Sequence, residues 1–297
     1  MTYNLKYFLK NILLNPIQGC KETFHDFKKD YHFKNHKNSQ KKIWICGLPK
    51  SGTTLIEQIL DFLPYIRIDR SVCRTFPIKD KLNKFNSTQY LDYFPDDKYS
   101  YVKTHLEFDE NLVENLKKKN FSIIVSFRDL RDAMISRYYH ILNDTKHWQH
   151  EIVAGENFER GFINSLTKNN SKYKNDPNIP EPLAYYYNWI KNWKNINDKK
   201  IKIVWFEDFK AFPEKFIEEI IAFTKFENFD AKKIFESIKK NNKKDNKIEL
   251  STKLKRRNKN VSTFRSGKVG EWKELFSKNV EDEFNKIIPG DLNTVLR

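Results

Sequence analysis

The stretch Gly47-Leu48-Pro49-Lys50-Ser51-Gly52-Thr53-Thr54 constrains this chain more than any other. It comes directly after an apolar run, Lys42–Cys46 (KIWIC), and opens a segment, Thr53–Phe62, whose apolar residues recur at helical spacing. A glycine-bounded turn between a strand and a helix lets the backbone curl, so that amides and the helix N-terminus face one point. That point suits a phosphate. The register G-x-x-x-x-G is the one with which a nucleotide-binding phosphate loop begins. The residues after the second glycine depart from an ATP-type loop, where a Lys and then a Ser or Thr reach the terminal phosphates and hold Mg²⁺. Here Thr53 and Thr54 stand in those places, and the only lysine of the turn, Lys50, lies inside it. The turn keeps the means to cradle a 5′-phosphate with amides and two hydroxyls, and it loses the magnesium-organising arrangement.

Three more short apolar runs read as buried strands: Ser100–Thr104 (SYVKT), Ser122–Phe127 (SIIVSF) and Lys202–Phe206 (KIVWF). Each precedes a segment of helical spacing, Asp109–Lys118, Leu130–Leu142 and Pro213–Phe223 respectively. Strand–helix alternation predicts a three-layer α/β/α fold with a central parallel sheet, its functional loops at the C-terminal ends of the strands. A length of 297 residues suits one large domain. We expect it over residues 41–297, after an N-terminal helical extension, residues 1–40. Within it, Lys168–Asn178 reads as a surface loop. Asn241–Lys268 is a long basic segment: residues 239 to 268 carry twelve Lys or Arg against two acids. It reads either as a solvated loop or as a flap over an anionic ligand.

Composition narrows the class further. Hydrophobic residues at 39% supply enough apolar material to exclude global disorder. The formal charge of +16 raises the local concentration of nucleotides, nucleic acids, acidic glycans or anionic lipids without choosing among them. Three cysteines with no CxxC pair fit a reducing, cytoplasmic compartment. No apolar stretch approaches the length of a membrane span. The segment Leu5–Leu14 is amphipathic, interrupted by charge and succeeded by no small-residue cleavage site, so it is not expected to be a signal peptide. It suits either docking on the domain or peripheral contact with a membrane surface.

Candidate chemistry sits at the predicted strand ends. Tyr101-Val102-Lys103-Thr104-His105-Leu106 places a lysine and a histidine there, the histidine suited to take a proton near neutral pH and the lysine to meet developing negative charge. A histidine satisfied structurally at a strand–helix corner would occupy the same position. After the third strand comes Arg128, whose guanidinium can take a phosphate in two bonds, and Ser136 stands two helical turns later. To share a ligand with Ser136, Arg128 must fold back along that helix. Thr263-Phe264-Arg265-Ser266-Gly267-Lys268-Val269-Gly270-Glu271-Trp272-Lys273 closes the basic segment, its glycines permitting close backbone approach to an anion. Trp272 reads as packing.

These motifs together resemble the sulfotransferases that use 3′-phosphoadenosine 5′-phosphosulfate (PAPS), over roughly residues 41 to 278. Pro49, Lys50, Ser51, Gly52, Thr53 and Thr54 look like that family's 5′-phosphosulfate loop, and Leu55-Ile56-Glu57-Gln58-Ile59-Leu60 is similar to its bacterial and tyrosyl-protein branches. The string Lys103-Thr104-His105-Leu106 resembles the segment carrying the catalytic base of cytosolic members. Arg128 and Ser136 match the spacing of the pair that holds the 3′-phosphate. Arg265, Gly267, Gly270 and Trp272 align with an R-K-G-x-x-G-D-W box, with Ser266 replacing a lysine and Glu271 an aspartate. Leu55 stands where many cytosolic members carry a tryptophan stacked on adenine, and Phe206 stands for the tyrosine of a Y-E-D strand end. The resemblance implies PAPS as co-substrate, adenosine 3′,5′-bisphosphate as product, no metal, His105 as base with Lys50 and Lys103, and a small-molecule or glycan acceptor bearing a hydroxyl or amine. Other branches use a glutamate, which makes Glu107 and Glu57 the alternative bases. A cytosolic dimer motif is matched poorly by Lys273 to Asp282, so dimerisation by that route is not expected. Two rival readings are a Mg²⁺-dependent phosphate-loop kinase, with Ile203–Asp208 as its acidic strand end, and a basic nucleic-acid binder. Nucleic acid is not an expected partner, because neither a zinc pattern nor an RNA-binding aromatic signature is present.

Overall fold

The computed structural model describes residues 39–68, 91, 94, 96, 98–168, 181–245 and 267–288. The expected N-terminal extension up to residue 38, most of the Lys168–Asn178 loop and residues 246–266, with Arg265 and Ser266, lie outside the described residues. In chain order the elements are β1 (Lys42–Gly47), α1 (Thr53–Phe62), β2 (Ile66–Arg67), β3 (Ser100–Thr104), α2 (Glu110–Lys118), β4 (Phe121–Phe127), α3 (Leu130–Asn143), α4 (His150–Val153), α5 (Phe158–Thr167), α6 (Pro182–Lys194), β5 (Ile201–Trp205), α7 (Phe206–Ala211), α8 (Pro213–Thr224), α9 (Ala231–Asp245), α10 (Trp272–Leu275) and α11 (Lys278–Ile287).

The five strands form one sheet in the order β2-β3-β1-β4-β5, and every pairing is parallel. The register aligns Cys46 with Thr104 and Val125, Gly47 with Ser126, and Phe127 with Trp205, so the C-terminal strand ends share one edge. Residues alternate between faces with the period of two that a strand imposes. Trp44, Cys46, Val102, Ile123, Val125 and Phe127 enter the core beneath α2, α3, α5, α6 and α11. Ile43, Ile45, Tyr101, Ile124 and Val204 enter the opposite one, beneath α1, α8 and α9. Covering both faces explains why the strands are apolar throughout rather than alternating. At about 1.5–3 kcal/mol for each fully buried aliphatic or aromatic side chain, these two layers hold the sheet edge still.

The four expected strands and the helices after them all form. The fourth strand ends one residue early: Phe206 opens α7 instead of closing β5. Glu207 and Asp208 in the first turn of α7 suit a helix N-terminus, and a three-residue apolar run such as Val204–Phe206 carries no period that separates strand from helix. The basic segment from Asn241 is helical up to Asp245, because α9 extends an amphipathic helix whose Ile234 and Ile238 bury against the α1 side. Tyr186 and Trp189 belong to the core: with Ile190 and Trp193 they form the buried stripe of α6.

Candidate active site at the sheet edge

The loop between β1 and α1 owes its shape to two backbone positions. Lys50 has φ 76° and Gly52 φ 97°, both left-handed, which reverses the chain twice and brings the first turn of α1 over the end of β1. For a non-glycine residue such a conformation costs on the order of 1–3 kcal/mol, so the surroundings must impose it. They do: the Ser51 hydroxyl donates to the Leu48 carbonyl at 2.8 Å, and the Ser126 hydroxyl at the end of β4 donates to the Ser51 carbonyl at 2.6 Å. The turn is too tight for a side chain at its base, since a Cβ on Gly47 would lie 2.4 Å from Thr53 Cγ2 and 2.8 Å from Ser51 Oγ. Gly52 is the N-cap of α1 and offers no side-chain cap. With no side chain over it, the N-terminus of α1 is the arrangement that receives anions. Ser51 and Thr53 are buried, and Thr54 is exposed.

On the β3 side, His105 reaches back to this loop: its Nδ1 lies 2.5 Å from the Gly47 carbonyl oxygen. A carbonyl only accepts, so Nδ1 carries the proton and Nε2 of the neutral ring keeps a lone pair. Burial, helped by the charge of Lys103 and opposed by the Gly47 bond, pushes the pKa of His105 down to about 4. Lys103 Nζ donates to Thr54 Oγ1 at 3.1 Å and forms an ion pair with Glu57 of α1, whose other oxygen lies 3.1 Å from Arg67. Glu107 shares a hydrogen bond with Tyr185 of α6, and burial raises its pKa.

On the β4 side, Arg128 is 4% exposed. Its NH1 donates to the Lys50 carbonyl at 3.3 Å, its NH2 to the Lys268 carbonyl at 2.8 Å, and its guanidinium lies 4.8 Å from the centre of the Phe206 ring. Phe206 also walls the loop, since a Cβ on Gly52 would stand 2.9 Å from its ring. Ser136 is buried on α3, and Arg128 reaches both the loop, at the Lys50 carbonyl, and the C-terminal box, at the Lys268 carbonyl. The box is tethered by Asp132, whose carboxylate accepts from the Gly270 amide at 2.6 Å and the Trp272 amide at 3.1 Å. Arg131, paired with Asp129, lies 3.6 Å over the Trp272 ring. Gly267 has φ 60°. Glu207, the acid of the rival kinase reading, accepts from the Asp129 amide at 3.0 Å and so closes a helix start.

The structure therefore gathers the loop, Lys103, His105, Arg128, Phe206 and Gly267 at one edge. Three residues there were not assigned from sequence, and a fourth, Glu57, was assigned without its pairing. Ser126 was discoverable as a hydroxyl near the end of an otherwise apolar strand. Asp132, Arg67 and the pairing of Glu57 were not, because each is defined by a partner distant in sequence.

A family model and curated relatives name one family, and solved structures share the fold. The Sulfotransferase domain family matches residues 40–294. Mouse sulfotransferase 6B1 is 25% identical over 254 residues, covering 82% of this chain and 74% of the mouse protein. Rat sulfotransferase 1C2 is 26% identical over 270 residues, covering 82% and 80%. Among solved structures, mouse sulfotransferase SULT7A1 complexed with PAP superposes with a TM-score of 0.57 at 21% identity, over 84% of this chain and 83% of the other. Retinol dehydratase in complex with androsterone and inactive cofactor PAP gives 0.53 at 17% identity, over 89% and 84%.

Proposed function

This chain belongs to the sulfotransferase family, and from that premise we propose that it moves a sulfuryl group from PAPS to an acceptor hydroxyl or amine by in-line transfer, with His105 as the base. PAPS supplies the sulfuryl group and a 5′-phosphate that departs with the electron pair of the broken S–O bond. The residues present suit it: a strained, glycine-based loop with an uncapped helix N-terminus for the 5′ end, a fixed guanidinium for a second phosphate, and an aromatic wall in Phe206. Pro49, Lys50, Ser51, Gly52, Thr53 and Thr54 receive the phosphosulfate. Arg128, Ser136, Arg265, Ser266 and Gly267 receive the 3′-phosphate, and Phe206 leans on the adenine. His105 Nε2 takes the acceptor proton as the new bond to sulfur forms, while Lys50, Lys103 and the loop amides offset charge on the transferring group and the departing phosphate. Adenosine 3′,5′-bisphosphate is then released, and no step calls on a metal.

The observation that carries this reading is the bond between His105 Nδ1 and the Gly47 carbonyl, which couples the base to the phosphate loop and leaves Nε2 as the acceptor. It also weakens the alternatives. Glu57 has both oxygens committed to cations, which disfavours it as a base. Glu107 is bonded to Tyr185. A His105→Ala variant should keep its affinity for adenosine 3′,5′-bisphosphate and lose about 10²–10⁴ in turnover with PAPS. Because protonated His105 cannot act and its pKa is lowered to about 4, kcat/KM of the native chain should hold down through pH 6.5 and fall only near pH 4. Full activity in the variant would remove His105 from the role, whereas an acid limb near 6.5 that persists in the native chain would keep the histidine and contradict the lowering of its pKa by burial. Adenosine 3′,5′-bisphosphate without metal should raise the Tm, and Mg-ATP should not; the reverse is the kinase outcome.

The acceptor is a small molecule or a glycan, a class to be narrowed by screening with radiolabelled PAPS. The domain spans residues 41–297, with residues 1–40 as an extension that docks on it or touches a membrane surface, and the enzyme works in the cytoplasm. Among the described residues no helix is long and apolar enough to cross a membrane.

A further inference from the structure

Lys103 does not stand alone at the loop. It lies on β3 two residues after Tyr101, on the face turned to α1, and three groups meet its ammonium or the group that holds it. Glu57, one turn after Thr54 on α1, takes Lys103 on one carboxylate oxygen and Arg67 of β2 on the other. The Lys103 and Glu57 side chains are only 8% and 4% exposed. Behind Glu57, the Tyr101 hydroxyl donates to Asp61 at 2.8 Å, and His105 lies two residues beyond Lys103. One carboxylate serving two cations leaves the trio net positive, and the surplus lies beside the exposed Thr54 hydroxyl that Lys103 also holds.

We propose that Glu57 is a positioning residue for Lys103, its carboxylate fixing the ammonium at Thr54 so that the phosphate loop meets its ligand with a cation already in place. A lysine side chain otherwise carries about 2 kcal/mol of rotamer freedom, and a buried one tends to shed its proton. Burial does lower the pKa of Lys103, with Arg67 adding to the fall, and Glu57 is the group that works against it. Arg67, by sharing the carboxylate, stops Glu57 from cancelling the charge of Lys103 entirely, which keeps the site attractive to an anion. This inference rests on the reading of Lys103 as a group that offsets charge during transfer.

The test is a double-mutant cycle on the full chain with PAPS and an acceptor found by screening. Glu57→Gln keeps the shape and removes the charge. It should lower kcat roughly ten- to a hundredfold with a smaller change in KM for PAPS. It should also move the alkaline limb of kcat to lower pH, because Lys103 then loses its proton more easily. Glu57→Asp should recover part of the loss. In a Lys103→Met background, Glu57→Gln should have almost no further effect. If Lys103→Met is itself fully active, the role given to Lys103 under the proposed mechanism fails. If Lys103→Met is impaired but Glu57→Gln costs the same factor in both backgrounds, or leaves the alkaline limb in place, that role survives and the positioning of Lys103 by Glu57 is refuted. Should Glu57→Gln fail to fold, Glu57→Asp carries the same comparison through its pH profile.

Discussion

The loop Gly47–Thr54 and the box Gly267–Trp272 both lie against Arg128, yet they are held by opposite means. The loop is shaped mainly from within, by two left-handed residues, a hydroxyl bonded three residues back and the serine of the adjacent strand. The box is tied in by contacts from 138 to 140 residues earlier: Arg128 to the Lys268 carbonyl, and Asp132 to the Gly270 and Trp272 amides. A region of the first kind is stiff before any ligand arrives. A region of the second kind is only as firm as the few side chains that reach it.

The sharpest way to break this contrast is Gly47→Ala. Its Cβ would meet Thr53 at 2.4 Å, Ser51 at 2.8 Å and Ser126 at 3.1 Å, all in the packed end of β1. Overpacking of that order costs about 1–3 kcal/mol, so the Tm should fall and protection by adenosine 3′,5′-bisphosphate should vanish with it. A variant of normal stability that still binds the nucleotide would mean that the loop is not set by its own backbone. Asp132→Ala should behave differently. It strips two amides of a charged acceptor, each such bond being worth about 1.5–3 kcal/mol, and should weaken adenosine 3′,5′-bisphosphate binding by roughly tenfold or more, measured by calorimetry. The loop should be left intact, with the Tm of the unliganded chain changed less than by Gly47→Ala. Equal losses from the two variants would erase the distinction. Smallest of all, Arg131→Ala removes a cation stacked on Trp272 and should cost only about 0.5–1 kcal/mol, visible as a modest affinity loss without a change in kcat.

The same contrast explains what could be read in advance. The strand-loop-helix unit was legible because its determinants are neighbours: an apolar run, two glycines and a helical period, all within residues 42–62. Lys103, His105 and Arg128 were legible because a parallel sheet puts strand ends on one edge, so position along each strand was enough. Phe206 lies beside the loop and Arg128 although its element was misjudged, since a strand ending and a helix beginning leave it at the same corner. Nothing local marks Asp132 as the tether of residues far downstream. Glu57 looked like a spare base, and its two cations come from β2 and β3, whose pairing no periodicity reveals. What stayed hidden in each case was a bond between sequence-distant side chains.

The place of β1 in the sheet has a kinetic consequence. Lys42 pairs with Ser100 on one side and with Phe121 on the other, so among the described residues the earliest strand is the central one and both of its neighbours are synthesised much later. Such long-range parallel pairing is slow to nucleate. During translation the strand Lys42–Gly47 has neither neighbour to pair with until the chain is made past Thr104, and the second follows only past Phe127. That interval exposes a strongly hydrophobic strand, and it makes the growing polypeptide a natural client for chaperones before it is an enzyme.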